Sequence, residues 1–174
     1  MGWQTALESL TLKQTFGDVL ERIRAALQEA RGEPVRFHQR YGLPGVMIYL
    51  SPNRPAVVVG NRPHVDLQYR LLPWADGFEP VSENLLSFTL ALALPPRGAG
   101  LRTWPELRDR LSPSVPMTSS NATFIGYEVG QMLCHDGLTP HHGVGMRTDG
   151  EREEMRITIQ GFGVRVNREW LLYW

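Results

Sequence analysis

The sequence predicts a mainly β fold, a sandwich, barrel or jelly roll, preceded by one amphipathic helix. Three observations carry this reading. Apolar residues recur with a sustained helical spacing only over residues 16–31. From about residue 35 the apolar period becomes two, the mark of half-buried strands. Most of the 17 glycines and 13 prolines fall after that point and punctuate it at short intervals.

Phe16, Val19, Leu20, Ile23 and Leu27 form one stripe at i, i+3, i+4 and i+7, so residues 16–31 read as a scaffold helix. Thr15 with Asp18 resembles a capping box with the shorter acid, and Gly32 then Pro34 supply the stop. Candidate strands follow at 45–51, 56–60, 64–72, 84–94, 125–134, 141–147, 156–166 and 170–174. Residues 95–123 read as the longest irregular stretch, of a length often used for function in a small β domain. Within it Thr103-Trp104-Pro105-Glu106 is a capping box for a short helix through Leu111.

Strand parity separates two faces. His64, Asp66, Gln68 and Arg70 oppose Val65, Leu67, Tyr69 and Leu71, and Arg156, Thr158 and Gln160 oppose Ile157 and Ile159. Leu86, Phe88, Leu90, Leu92 and Leu94 oppose Ser87, Thr89, Ala91 and Ala93. If the greasy faces pack outward, the polar faces can line a pocket; otherwise they meet water, as in many antiparallel sheets.

Composition limits the function classes. The 174 residues suit one domain spanning the whole chain, large enough for a core without disulfide or metal staples. Eighteen basic side chains balance eighteen acidic ones, so no strong basic footprint marks a nucleic-acid partner. No apolar run approaches the roughly 18 residues needed to cross a bilayer, and the N-terminus lacks a signal-peptide pattern. The single cysteine, Cys134, fits a reducing compartment, so the expectation is a cytoplasmic protein without a membrane partner. The last strand, WLLYW, offers an edge for homodimerisation. Of the basic residues only Lys13 is a lysine, which nucleotide bias explains adequately.

The chemistry gathers in three segments. His64-Val65-Asp66 places an imidazole and a carboxylate two apart on a strand, where both can reach one point. Asp136-Gly137-Leu138-Thr139-Pro140-His141-His142 offers a third ligand, and two histidines with one carboxylate suit non-haem Fe(II) and O2 chemistry. Arg156-Ile157-Thr158 presents a guanidinium and a hydroxyl on one face, able to clamp a carboxylate.

With these motifs in order, the chain from about Tyr41 to Trp174 resembles the Fe(II)/2-oxoglutarate-dependent oxygenases, especially their prolyl-hydroxylase-like branch. The resemblance rests on His64-x-Asp66, LALALPPRGAGLRTWPE, GQMLCHDGLTPHH and RITIQGFGV. It implies a double-stranded β-helix (jelly-roll) core with an N-terminal helix and few short helices. It implies iron held by His64, Asp66 and His141, and 2-oxoglutarate with its distal carboxylate on Arg156, helped by Thr158. The reaction implied consumes O2, releases succinate and hydroxylates an amino acid, a peptide or protein side chain or another small metabolite, with ascorbate as a supporting reductant. His135 stands where the family often has Phe, Gln131 where it often has Asp, and Arg97-Gly98-Ala99-Gly100-Leu101 matches the family's glycine-rich stretch only loosely.

Residue by residue, plainer readings stand beside these. His142 competes with His141, since adjacent strand residues point to opposite faces. Arg156 can instead pair with Glu153 or Glu154, and Arg147 is the alternative carboxylate binder. Tyr49 can add a phenol to the co-substrate carboxylate or fill the core. Gln68, Arg70, Trp74, Arg102 and Trp104 are the candidate substrate contacts, with burial the competing role for the tryptophans. A cupin-like small-ligand or interaction module is the rival fold-level reading, although His64-Val65-Asp66-Leu67 lacks the histidine pair a cupin would supply.

Overall fold

The computed structural model describes residues 3–39, 41–50, 63–72, 81–108, 121–144 and 154–174. Among the described residues a long helix, α1 (Trp3–Arg31), leads into nine strands: β1 (Val35–Phe37), β2 (Gly45–Leu50), β3 (Leu85–Ala93), β4 (Gly100–Thr103), β5 (Thr123–Gly126), β6 (Met132–His135), β7 (His141–Val144), β8 (Met155–Val166) and β9 (Glu169–Tyr173). The large sheet runs β1-β9-β8-β3-β6, with β2 also paired to β8, and the small sheet runs β5-β4-β7. This is the expected mainly β jelly roll with one N-terminal helix.

The helix begins earlier than its apolar stripe. A break at Phe16 (φ −123°, ψ 16°) divides it, and the expected segment is the part after that break. Leu20, Ile23 and Leu27 are buried there. Ile23 and Leu27 pack with Val35, Leu86, Phe88, Ile159, Trp170 and Leu172 on one face of the large sheet. Helical and strand periodicities meet on this surface, so the apolar set of each element goes to a single layer. The ring of Phe88 lies over Gly161, its register partner on β8; a Cβ there would stand 2.7 Å from the ring. Leu27→Ala, at 1% exposure, is expected to cost about 2–5 kcal/mol, read from the urea midpoint.

The opposite face of the large sheet looks inward and is divided along its length. At one end Leu85, Val164, Leu171 and Tyr173 make a second apolar cluster, joined by Tyr69, Leu72 and Leu138. At the other end the strand parity places Ser87, Thr89, Arg156, Thr158 and Gln160. The polar face of β3 and β8 therefore lines the interior, and the greasy face takes the helix.

Several expectations change. Residues 64–72 do not form a strand: His64 makes one antiparallel bridge with His141, and Gln68–Leu71 is a 3-10 turn. Asp66 donates its N–H to the Gly137 carbonyl, after which the chain turns away, so the shared face ends at Asp66. Within 95–123, β4 is a strand at the centre of the small sheet. The short helix after it is only a 3-10 turn, Pro105–Leu107, without a side-chain cap. The stretch 125–134 splits into β5 and β6, because Gly130 turns the chain at positive φ. WLLYW is no free edge: β9 is flanked by β8 and, in parallel, by β1. The 56–60 segment and residues 73–80, 109–120 and 145–153 lie outside the described residues. Among the described residues no helix is long and apolar enough to cross a membrane.

Candidate metal centre and carboxylate pocket

The bridge between His64 and His141 brings the two histidines side by side. Each backbone N–H donates to the other's carbonyl, at 2.9 and 2.8 Å. Asp66, two residues on, is held by its own N–H on Gly137 O at 2.7 Å. The ligand atoms of His64, Asp66 and His141 all lie within 4.8 Å of one another. His141 Nε2 is 3.3 Å from Asp66 Oδ2, and His64 Nε2 is 3.7 Å from Asp66 Oδ1.

The turn between β6 and β7 sets this geometry. Asp136 Oδ1 accepts the N–H groups of Leu138 and Thr139, and Arg108 pairs with its Oδ2 at 2.8 Å. Gly137 follows at φ +75°, a region that L side chains avoid. A Cβ at Gly137 would stand 2.7 Å from Ser87 Oγ and 2.9 Å from Asp66 Cβ. Gly137→Ala is therefore expected to lower stability by about 2–4 kcal/mol, strain and overpacking together, read by chemical denaturation of the metal-free protein. A wild-type midpoint in that variant would show that the turn relaxes without pressing on Asp66.

His141 Nδ1 lies 2.9 Å from the Thr139 carbonyl. A carbonyl only accepts, so Nδ1 carries a proton and Nε2 turns to the carboxylate. Burial lowers the affinity of His141 for a second proton, but the hydrogen bond and charge of Asp66 outweigh it and its pKa is raised. Burial likewise pushes Asp66 up, yet His141 and Ser87 hold it below the usual carboxylate value. A carboxylate set against two imidazoles, that of His141 buried and that of His64 half-exposed, is a donor set that a divalent metal can satisfy.

His142 takes the other face of β7, in register with Arg102 on β4. Its pKa is lowered by burial and by the charges of Arg102 and His64. His135, expected to be only structural, sets its ring 4.5 Å from the His141 ring, edge to face. Burial and the charge of His141 depress its pKa to about 4, so it stays neutral, its Nδ1 accepting the Gly137 N–H at 3.1 Å.

Arg156 lies further along the polar interior at 3% exposure. Its Nη1 donates to Val144 O on β7, joining the two sheets, and its Cζ stands 3.9 Å over the Tyr49 ring. Tyr49 thus offers Arg156 its ring face rather than a phenol alongside. Arg156 Nε is buried without a hydrogen-bond partner, and among the described residues no carboxylate comes within 4 Å of the guanidinium. Thr158 is fully buried on the same face, with Gln160 Nε2 3.4 Å from its hydroxyl. Tyr127 closes the same region. Burial pushes its phenol up against the pull of Arg156 and a hydrogen bond with Thr89. A buried, incompletely satisfied guanidinium beside hydroxyls has donors that a carboxylate can take up.

The candidate substrate contacts do not gather in the same way. Gln68 is half-buried on the 3-10 turn, its Oε1 without a partner. Arg70 is exposed and folds back on Tyr69, 5.7 Å from the ring centroid. Arg102 is half-buried on β4 beside His142. Trp104 is buried, its indole N–H donating to Asn121 Oδ1 at 2.9 Å, so it is a packing residue and not an exposed wall. Trp74 and Arg147 lie outside the described residues. Sequence reading missed Ser87 and Thr89 as site residues, although β3 parity put both on the polar face; nothing in the sequence singled out Tyr127.

No protein-family model and no curated protein matches the chain. Among solved structures it is similar to an N-substituted L-amino acid dioxygenase from Burkholderia ambifaria, with a TM-score of 0.53 and 16% identity over 98% of this chain and 70% of that one. The same enzyme in complex with alpha-KG gives a TM-score of 0.46 at 15% identity, over 94% and 70% of the chains. SnoN, a non-heme alpha ketoglutarate dependent epimerase from nogalamycin biosynthesis, gives 0.49 at 16% identity, over 91% and 63%. At these identities the likeness is one of fold: the chain shares the jelly-roll architecture of the first of these enzymes.

Proposed function

We propose that the chain is an Fe(II)- and 2-oxoglutarate-dependent oxygenase, with the motif order of the prolyl-hydroxylase-like branch. One observation carries the reading: a two-histidine, one-carboxylate cluster and a buried, partly unsatisfied arginine share the interior of one jelly roll. His64, Asp66 and His141 would hold the metal, and Arg156 with Thr158 would hold the distal carboxylate of 2-oxoglutarate. The donor set fits, since it offers two imidazole nitrogens and one carboxylate oxygen and would leave coordination positions open. Bound Fe(II) supplies O2 activation coupled to decarboxylation of 2-oxoglutarate to succinate, with ascorbate as a supporting reductant.

The protein's residues do the rest. The Thr139 carbonyl selects the His141 tautomer that presents Nε2. Tyr49 and Val144 O fix the guanidinium before any ligand arrives, which lowers the ordering cost of binding. The substrate in this reading is an amino acid, a peptide or protein side chain or another small metabolite, hydroxylated at carbon. Asp66 is retained where a halogenating enzyme would need room for halide, which favours hydroxylation.

The test is anaerobic absorbance on adding 2-oxoglutarate to the Fe(II)-loaded protein, followed by succinate formation in air. A charge-transfer band that requires both components is expected. Its absence in the wild type would overturn the oxygenase reading and leave a ligand-holding or interaction module.

A further inference from the structure

The interior holds one polar contact that neither the metal cluster nor the carboxylate pocket needs for its own packing. Ser87, on β3, donates its hydroxyl to Asp66 Oδ2 at 2.7 Å, and the two residues are 5% and 8% exposed. β3 is bonded on both sides at this point: Ser87 is in register with Phe162 on β8 and His135 on β6. Its neighbours Leu86 and Phe88 are locked in the helix-facing core. The hydroxyl is thus carried by a rigid strand, whereas Asp66 lies between an isolated bridge and a 3-10 turn. Gly137 presses down over the contact, its missing Cβ leaving room for Ser87 Oγ and Asp66 together.

We infer that Ser87 is a positioning residue: it holds Asp66 Oδ2, the oxygen that also lies 3.3 Å from His141 Nε2, and so fixes how the carboxylate is presented to the metal. A carboxylate on a short side chain can turn about its last bond and can bind through one oxygen or both. A hydroxyl donor on Oδ2 takes up one of its lone pairs, which biases the group between these modes and fixes its plane. The inference rests on the metal reading given above, because it concerns how Asp66 meets that ion. The effect of a hydrogen-bond partner behind a ligand is about 10- to 100-fold in metal affinity.

The experiment is an anaerobic titration of wild type, Ser87→Ala and Ser87→Thr with Co(II), following d–d absorption, alongside thermal unfolding of each metal-free protein. Ser87→Ala should bind Co(II) about 10- to 100-fold more weakly with an altered spectrum, and Ser87→Thr should restore both by restoring the hydroxyl. Equal affinity and an equal spectrum in Ser87→Ala would overturn the inference. So would equal weakening in both variants with wild-type unfolding midpoints, since the hydroxyl would then not be the cause. Failure of the wild type to bind Co(II) would overturn the metal reading itself, a result distinct from any difference among the variants.

Discussion

His141→Ala is expected to eliminate Fe(II)-dependent binding of 2-oxoglutarate, while His142→Ala retains it. The two residues are adjacent on β7 and have the same chemistry, so only their direction separates them. His141 is 4% exposed, has its Nδ1 on the Thr139 carbonyl and turns Nε2 to within 3.3 Å of Asp66 Oδ2. His142 faces the other way, in register with Arg102. Losing a direct ligand should exceed the roughly 10- to 100-fold cost of losing a supporting partner, so metal affinity should fall beyond that range. Anaerobic titration of the charge-transfer band measures it. Loss confined to His142→Ala would reverse the assignment of the third ligand.

Arg156→Met should uncouple the two halves of the site. Metal binding should persist, because the guanidinium touches Tyr49 and Val144 O and none of the three ligands. Affinity for 2-oxoglutarate should drop by a factor corresponding to about 2–5 kcal/mol, the usual consequence of removing one partner of a buried charge pair. The unliganded protein should lose little stability, within about 1 kcal/mol, since the variant removes a buried charge that has no carboxylate partner among the described residues. Arg156→Lys should rescue only weakly, because an ammonium cannot offer the planar fork. Two measurements check this together: titration of 2-oxoglutarate into Co(II)- or Fe(II)-loaded protein, and the urea midpoint of the metal-free form. A large fall in the urea midpoint with unchanged 2-oxoglutarate affinity would make Arg156 a structural tie between the sheets.

Much of this arrangement is legible in the sequence, and particular residues show why. The alternation along β3 and β8 assigned Leu86 and Phe88 to one face and Ser87, Thr89, Arg156 and Thr158 to the other, and the structure follows it residue for residue. Strand parity is a local property that a long, doubly paired strand cannot violate without moving its whole apolar set into water. The same rule failed for residues 64–72. That segment is paired at His64 alone, so no second ladder enforces its period, and it turns at Gln68. Gln68 and Arg70, placed beside the metal ligands by parity, therefore separate from them. Trp104 is likewise ambiguous in the sequence; its burial and the Asn121 oxygen that accepts its indole N–H make it a packing residue.

By itself the sequence determined which residue types could do chemistry and in what order: an imidazole and a carboxylate at His64 and Asp66, a glycine turn before His141, an arginine and a threonine two apart on a late strand. It also determined which residues of β3 and β8 share a face, because period and polarity are carried residue by residue, while leaving open whether the polar face meets a pocket or water. The tertiary structure alone decided that His64 and His141 meet through reciprocal backbone bonds, and that His141 rather than His142 turns inward. It alone placed Ser87 under Asp66, and Tyr127 and Tyr49 around Arg156. Such contacts join segments far apart in the chain, and their geometry is set by how two sheets close on each other. No local pattern records that closure.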